Sequence, residues 1–351
     1  MSKFIKRILF SLLAISAISV YAEVEDPNVM IIHYLDGTTN QIKIETIDHL
    51  EFAKVEDQGG PIETPAADPK VGDYFYSDGT WSDGGLISID PDGRNAVWAE
   101  TKPAPIAGKT VVGIVFTTNT DRIADTEKNR GFNHGYVIAC KNITDPGKSN
   151  YNQYPESVWF AGFYAKADVN SVAKTAKTCY ENINGYTETM KMIQENEPQY
   201  YDEDIPMFYY GTAPQYPVEA PANTSGWFIP SVGQMWDCVA NFCSGEVAEF
   251  LASIRESTAD FTYSSKNDLS ESPFKSFMKV FELVPAEDKD EITIPDNGST
   301  SLNHLIELAT SSRYDEESRV VINLGMEENT LVEGMAAWFD EEAHARPILA
   351  F

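Results

Sequence analysis

Carboxylates are the commonest side chains in this sequence that could act in catalysis or bind a metal. The chain of 351 residues carries 54 Asp and Glu against 26 Lys and Arg, for a formal net charge of −28 at pH 7. At this abundance, neighbouring carboxylates such as those at 202–204 and 327–328 are expected by chance. A glycosidase needs two carboxylates fixed across a cleft, and adjacency in sequence does not establish that. The acidic balance makes nucleic acid and anionic membrane surfaces poor partners.

One short segment has the alternating oxygen side chains of a calcium loop. Asp90, Asp92 and Asn95 surround a turn at Gly93. The segment lacks the bidentate glutamate that closes such a loop at the usual spacing, which favours an ordinary turn. We therefore predict no cofactor, with calcium left open as a ligand.

Cysteine and histidine, the usual nucleophiles, bases and zinc ligands, give no catalytic pattern. Cys238 and Cys243 lie five positions apart on a predicted helix, so their side chains diverge by roughly 140° and do not suit a disulfide. With Cys140 and Cys179 they are predicted to be disulfide-bonded to other partners or buried as free thiols. The five histidines are scattered, and no spacing pairs one with a nucleophile or a metal. An enzyme is not expected.

The first 22 residues have the features of a secretory signal. A basic start precedes an apolar core at 8–20 and a small-residue cleavage site at 20–22. The mature chain is expected to begin near Glu23 and to be exported to the periplasm, the outer cell surface or the medium. No later apolar run is long enough to cross a bilayer as a helix.

Turn signals and changes in composition divide the rest of the chain into a small N-terminal unit, a linker and a larger domain. Residues 23–53 alternate apolar and polar positions around Asp36-Gly37 and predict a small β-hairpin unit. Residues 54–70 are rich in Pro, Gly, Glu and Asp and predict a linker. A larger domain follows at 71–351, with a long loop at 197–224 that contains five prolines and many tyrosines.

The stretch 226–236 predicts a strand that leads into a capped helix. Ser231 is the N-cap, and Gln234 stands three positions later, where its side chain can reach back to the cap. Apolar residues then recur at three- and four-residue spacing, which places them on one face of the helix. We predict that Trp227 and Trp236 belong to the core and do not contact a ligand.

The remaining elements follow from apolar periodicity and from runs of β-branched residues. Helices are predicted at 168–180, at 186–195 and from Ser244 to about 257, and strands at 110–116, 135–139, 277–283, 319–324, 335–339 and 345–351.

Separated motifs agree in their order with those of one family. They are 74–81, 108–115, 134–139, 184–189, the helix start at 227–231, 310–315, 321–325 and 346–351. Together they resemble the Lcl-type, fimbrillin-associated surface modules of Gram-negative gut bacteria over residues 71–351. The resemblance implies an α+β, C-type-lectin-like fold, with two helices on a small twisted antiparallel sheet and paired first and last strands. The sequence departs from the usual pattern at 309–313, where an aromatic residue is missing.

The resemblance implies binding, adhesion or display. We predict an exported, non-enzymatic protein that binds a glycan or a host or bacterial surface protein. Exposed aromatic rings can stack on sugars while neighbouring polar groups hold hydroxyls. The candidate ligand-binding residues are Tyr209, Tyr210, Tyr216, Arg313 and Tyr314.

Two alternatives stay open. In the first, the protein is a structural or accessory subunit of a surface fibre, and its N-terminal hairpin or an edge strand pairs with a neighbouring subunit. In the second, it is an enzyme, either a hydrolase or a relative of the formylglycine-generating oxidases, which share the broad fold and hold copper with paired cysteines. Cys238 and Cys243 fit that role poorly because both lie on one predicted helix.

Overall fold

The computed structural model describes the strands Val29–His33 and Thr39–Lys43 and then residues 68–144, 158–159, 172–196, 198, 205–291, 305–326, 332–338 and 342–351. The chain divides into two compact units, residues 1–60 and 61–351. The predicted signal sequence, nearly all of the predicted linker, Asp168 and the carboxylates at 202–204 and 327–328 lie outside the described residues.

The first unit contains the predicted hairpin. Strands β1 (Val29–His33) and β2 (Thr39–Lys43) pair antiparallel, with Val29 opposite Lys43 and His33 opposite Thr39. The Asp36-Gly37 turn signal lies between these strands and outside the described residues.

A five-stranded antiparallel sheet forms one layer of the second unit. Its order within the described residues is β15-β8-β7-β3-β4. The strands are β3 (Tyr74–Tyr76), β4 (Trp81–Ser82), β7 (Val111–Thr117), β8 (Tyr136–Ala139) and β15 (Ile348–Ala350). Strand β7 is buried along its whole length, as its β-branched sequence predicts.

A second antiparallel sheet has the order β10-β13-β12-β11 among the described residues. It contains β10 (Ser265–Lys266), β11 (Leu305–Leu308), β12 (Ser318–Gly325) and β13 (Val332–Trp338). Two short pairs complete the described strands, β5 (Leu86–Ser88) with β6 (Val97–Trp98) and β9 (Val158–Trp159) with β14 (Glu342–Ala343).

The described helices are α1 (Asp125–Asn129), α2 (Ala176–Glu181), α3 (Gly185–Glu195), α4 (Pro206–Tyr210), α5 (Val232–Cys243), α6 (Gly245–Ile254) and α7 (Pro273–Lys279).

Helix α5 is the centre of the second unit. It contacts β7 of one sheet and β12 of the other, and it also packs on α2, α6 and α7. Every residue of α5 is buried. The predicted capping box is present, since the Ser231 N–H donates to Gln234 Oε1 at 2.9 Å. Trp227 and Trp236 are each only 2% exposed, which confirms their prediction as core residues.

The predicted strand at 277–283 is wrong, because this segment belongs to helix α7 and the turns that follow it. Ser272 accepts a hydrogen bond from the Lys275 N–H as the N-cap, and Pro273 occupies the first turn, where its missing N–H is not needed. Phe274 and Phe277 then lie one turn apart and pack into the core. Local capping therefore outweighs the strand propensity of the aromatic residues.

Two other predicted boundaries change. The helix predicted at 168–180 begins only at Ala176, because Thr175 and Thr178 form a capping box there and residues 172–175 are extended. The loop 197–224 contains the short helix α4, which starts at Pro206.

The paired first and last strands expected of residues 71–351 are also wrong. Strand β15 pairs with β8, whereas β3 pairs with β7 and β4, so β7 and β8 separate the first strand of the unit from the last. The opposite side of β15 bonds to the segment before α5, where Phe228 and Ile348 exchange backbone hydrogen bonds at 2.9 and 2.8 Å. The described architecture is mixed α and β with antiparallel sheets.

Candidate functional site

The described tyrosines of the long loop lie on and after α4. The rings of Tyr209 and Tyr210 are 5.0 Å apart, both residues are partly exposed, and Gln215 Nε2 donates to Tyr209 Oη at 3.0 Å. Tyr216 is only 4% exposed. Its hydroxyl donates to the Lys141 carbonyl at 2.6 Å, and burial raises the pKa of this hydroxyl well above 10. Tyr216 is therefore a core side chain, and its ring offers no surface to a large ligand.

Arg313 and Tyr314 belong to a different surface. The Tyr314 hydroxyl donates to Asp260 Oδ2 at 2.6 Å, and Lys174 Nζ lies 4.7 Å from the centre of the Tyr314 ring. Tyr263, which follows Asp260 in a short 3₁₀ turn, is 86% exposed. We call Lys174, Asp260, Tyr263, Arg313 and Tyr314 the Tyr314 patch.

Backbone contacts hold the Tyr314 patch together. The Ala173 N–H donates to the Arg313 carbonyl at 2.8 Å, and the Phe261 N–H donates to the Lys174 carbonyl at 2.7 Å. Residues 172–175 therefore connect the segments around Phe261 and Arg313, which are far apart in sequence.

The hydrogen bonds of this patch change the acidity of its two titrating groups. The bond to Asp260 is the main cause that raises the pKa of Tyr314. Partial burial acts to raise the pKa of Asp260, but the bonds from Tyr314 and Thr262 outweigh it and lower that pKa. Asp260 is therefore an ionised acceptor that fixes the Tyr314 ring.

The structure divides the five predicted residues between two regions. Tyr210 and Tyr216 pack with the apolar cluster that contains Phe208 and Trp227, whereas Tyr314 packs with the cluster that contains Trp236. Lys174, Asp260 and Tyr263 were not predicted. The Asp260 cap of the 3₁₀ turn was a local signal in the sequence, but its proximity to Tyr314 depends on the fold.

A buried polar network surrounds the N-terminus of α5. Ser312 Oγ accepts from the Val232 N–H at 2.9 Å and from Asn182 Nδ2 at 2.8 Å. Asn182 Nδ2 also donates to Glu188 Oε1 at 2.9 Å, and the Ser311 hydroxyl donates to Glu188 Oε2. Ser311 and Ser312 are fully buried, so the motif at 310–315 begins with residues that stabilise the fold.

The calcium-like segment is held by arginines. Asp92 Oδ2 lies 2.8 Å from Arg94 Nη2 and 3.2 Å from Arg255 Nη1, and Asp90 Oδ2 accepts from Asn95 Nδ2 at 2.7 Å. The Arg94 hydrogen bond is the main cause that lowers the pKa of Asp92. Across the described ranges, no group of three or more His, Cys, Asp or Glu side chains is arranged to hold a metal ion.

All four cysteines are free and buried. Burial raises the pKa of Cys140 to about 12, and it also raises the pKa of Cys179, Cys238 and Cys243. Thiols with such high pKa values are poor nucleophiles near neutral pH, because the thiolate is the reactive form.

Comparison with known proteins finds no matching family model. A curated protein of Bacteroides ovatus, "Putative fimbrium tip subunit Fim1C", is 24% identical over 221 residues, which cover 59% of this chain and 39% of that protein. A crystal structure of a fimbrial protein from Bacteroides ovatus is 15% identical, with a TM-score of 0.42, and the match covers 92% of this chain and 57% of that one. Both are fimbrial proteins. The chain thus spans well under two thirds of each of these relatives.

None of the described helices combines the length and the apolar character needed to span a membrane.

Proposed function

We propose that this protein is an exported, non-enzymatic subunit or accessory component of a surface fibre. The observation that carries the proposal is the similarity to Fim1C, which extends over 59% of the chain. Export agrees with the basic start, apolar core and cleavage site at 1–22. Under this proposal, the partners are neighbouring fibre subunits on the cell surface.

Strand pairing between subunits offers a physical route to assembly. An exposed sheet edge presents unpaired backbone groups that a strand from another chain can complete. Among the described residues β1 and β2 pair only with each other, so each strand has one side without a described strand partner. We propose the hairpin as the first candidate for contact between subunits.

The outer side of β13 is the second candidate edge. Among the described residues β10 pairs with Val332 and Glu333, the Gly334 N–H donates to the Ser264 carbonyl at 3.2 Å, and the 3₁₀ turn Phe261–Tyr263 covers the next part of this side of β13. Alternate residues of a strand direct their backbone groups to the same side, so the Ala336 N–H faces this edge beyond the end of β10.

Deletion of residues 23–53 tests the first candidate. We expect the shortened protein to fold, because the second unit has its own core, and to lose incorporation into fibres measured by electron microscopy and cell fractionation. A deletion variant that assembles as well as the full chain would remove the hairpin from the interface.

An Ala336→Pro variant of the full chain tests the second candidate. Proline is tolerated where a strand N–H is not bonded within the sheet, so this change should block pairing at the edge and leave β12–β13 intact. Ala337→Pro is the matched control, because the Ala337 backbone faces β12 and its loss should unfold the sheet. Normal assembly of both the hairpin deletion and the folded Ala336→Pro variant would contradict assembly by strand pairing.

A ligand-binding role is the second candidate function, and the Tyr314 patch favours it. Tyr263 is exposed, Asp260 fixes the Tyr314 ring and Lys174 Nζ lies over that ring, so the patch offers aromatic groups with polar neighbours. We propose a glycan or a surface protein as the ligand, with a C-type-lectin-like arrangement of residues 71–351. Tyr209 and Tyr210 are proposed as a separate contact region, whereas buried Tyr216 would support them from the core.

A glycan array and a cell-binding assay, each with and without calcium, test this second function. Tyr263→Ala and Tyr314→Ala should reduce binding, and Tyr209→Ala and Tyr210→Ala should report on the other region. Lys128→Ala is the control, because Lys128 is a partly exposed residue of α1 that lies outside both regions. Unchanged binding by all four tyrosine variants would exclude both regions. Fibre incorporation, measured for the same variants, shows whether each change affects assembly, ligand binding or both.

A further inference from the structure

A fully buried carboxyl lies in α1, in the connection between β7 and β8. Glu127 is 0% exposed, and its Oε1 accepts a hydrogen bond from the Tyr136 hydroxyl at 3.1 Å. Its Oε2 is buried and has no hydrogen-bond partner among the described residues. A buried carboxylate with so few donors has lost most of the hydration that stabilises its charge.

Tyr136 connects this carboxyl to the rest of the fold. Its hydroxyl accepts from the Ala124 N–H at 3.0 Å, just before α1 begins. The side-chain amide of Gln234 on α5 faces the same hydroxyl, and Gln234 Nε2 is buried and has no hydrogen-bond partner in the described chain. The Glu127 carboxyl, the Tyr136 hydroxyl and the Gln234 amide thus join α1, β8 and α5.

The protein surroundings provide little compensation for a negative charge on Glu127. The charged and titratable groups that act on it are Tyr136 on β8 and Arg130 immediately after α1. The Arg130 guanidinium lies over the rings of Phe132 and Tyr186, at 5.0 and 4.4 Å, and it forms no ion pair with Glu127 in the described structure. From α3, the contact to α1 is a neutral bond of 3.2 Å between the Thr126 and Thr187 hydroxyls.

We propose that Glu127 is a proton-operated lock on the β7–β8 connection. When it is protonated, the neutral carboxyl stays buried against Tyr136 and holds α1 on the core. When it is ionised, the charge favours a state in which α1 opens and the carboxylate reaches water. The proton exchanges with solvent, so no other reactant is needed.

The acidity of Glu127 agrees with this geometry. Burial raises its pKa to about 7, although the Tyr136 hydrogen bond, its own backbone N–H and Arg130 act in the opposite direction. The folded chain therefore keeps the proton up to about pH 7, whereas an unfolded glutamate loses it near pH 4.5. Glu127 therefore contributes its full stabilisation below about pH 4.5. Its contribution to the free energy of unfolding falls as the pH rises from about 4.5 to about 7.

The other end of the connection has a different anchor. Arg122 Nε lies 2.7 Å from Asp237 Oδ2, and Arg122 Nη2 donates to the carbonyls of Tyr180 and Gly233. Burial raises the pKa of Asp237, but unlike Glu127 this carboxylate has a guanidinium in direct contact that acts in the opposite direction. We therefore expect a rise in pH to open only the part of the β7–β8 connection around α1.

Hydrogen exchange measured by mass spectrometry, corrected for the intrinsic effect of pH, tests the lock. Between about pH 5 and pH 8, the open fraction of the peptides that cover 123–133 should rise on the order of tenfold to a hundredfold in the wild type. Glu127→Gln should remove most of this rise. Asp125→Asn is the matched control, because Asp125 is an exposed carboxyl of the same helix, and it should behave like the wild type.

A titration followed by NMR gives a second test that does not depend on whether Glu127→Gln folds. The ring signals of Tyr136 in the wild type should report a midpoint near pH 7. Tyr136→Phe removes a hydrogen bond that stabilises the carboxylate, so a labelled Glu127 carboxyl should titrate at higher pH in that variant. A Glu127 midpoint below about pH 5, or an equal rise in exchange in wild type and Glu127→Gln, would overturn the proposal.

Discussion

Arg122 and Asp237 show how a single buried ion pair can fix a connection to the central helix. Their side chains are only 9% and 10% exposed, and the guanidinium also lies 3.9 Å from the centre of the Tyr180 ring. In the described structure this guanidinium donates to Asp237 and Gly233 of α5 and to Tyr180 near the end of α2. The buried guanidinium therefore has a carboxylate and two carbonyls as acceptors, and such partners compensate for its lost hydration.

Loss of one partner of the Arg122–Asp237 ion pair should lower the stability of the fold. Asp237→Ala leaves the Arg122 charge buried without its carboxylate, and we expect the free energy of unfolding to fall by about 3–5 kcal/mol. Glu181→Ala, which removes an exposed partner of Lys177 in α2, should cost less than about 1 kcal/mol. Urea unfolding followed by tryptophan fluorescence measures both. Similar losses for the two variants would show that the Arg122 pair contributes no more than a surface contact.

Among the elements, α5 depends on side chains that lie outside its own sequence. Its capping box is local and could be predicted from Ser231 and Gln234. The hydrogen bond from the Val232 N–H to Ser312 could not be predicted, because 80 positions separate the two residues. Helix α7 shows that local signals can also conflict. Its N-cap, Ser272, is present in the sequence, but the aromatic residues that follow it predicted a strand.

The contribution of Ser312 to α5 can be measured. Ser312→Ala leaves the Val232 N–H and an Asn182 amide hydrogen without their buried acceptor, and we expect a loss of about 2–3 kcal/mol. Ser253→Ala removes an exposed hydroxyl within α6 and should change stability by less than about 0.5 kcal/mol. The comparison is made by denaturant unfolding, with circular dichroism as the signal. A loss at Ser312 no greater than that at Ser253 would contradict the capping role.

For the whole molecule, strands and core helices were easier to predict than surfaces. β7 and the centre of β12, residues 320–322, are rich in apolar β-branched residues, and burial of such runs decides their structure. The Tyr314 patch combines segments near 174, 260 and 314, so only the tertiary fold brings it together. Tyr216 shows the converse, because a tyrosine in a proline-rich loop can be a core residue once its hydroxyl has a partner.

A prediction for the whole molecule concerns the reactivity of its four buried thiols. Because each sulfur is free and inside the core, the native protein should react very slowly with a thiol reagent such as Ellman's reagent. In denaturant, all four should react, and the unfolding curve should be the same with and without a reductant. The measurement is the number of thiols per chain by absorbance, on protein recovered from the exported fraction. Fewer than four thiols after denaturation would reveal a disulfide, and rapid reaction of the native protein would reveal an open route to the core.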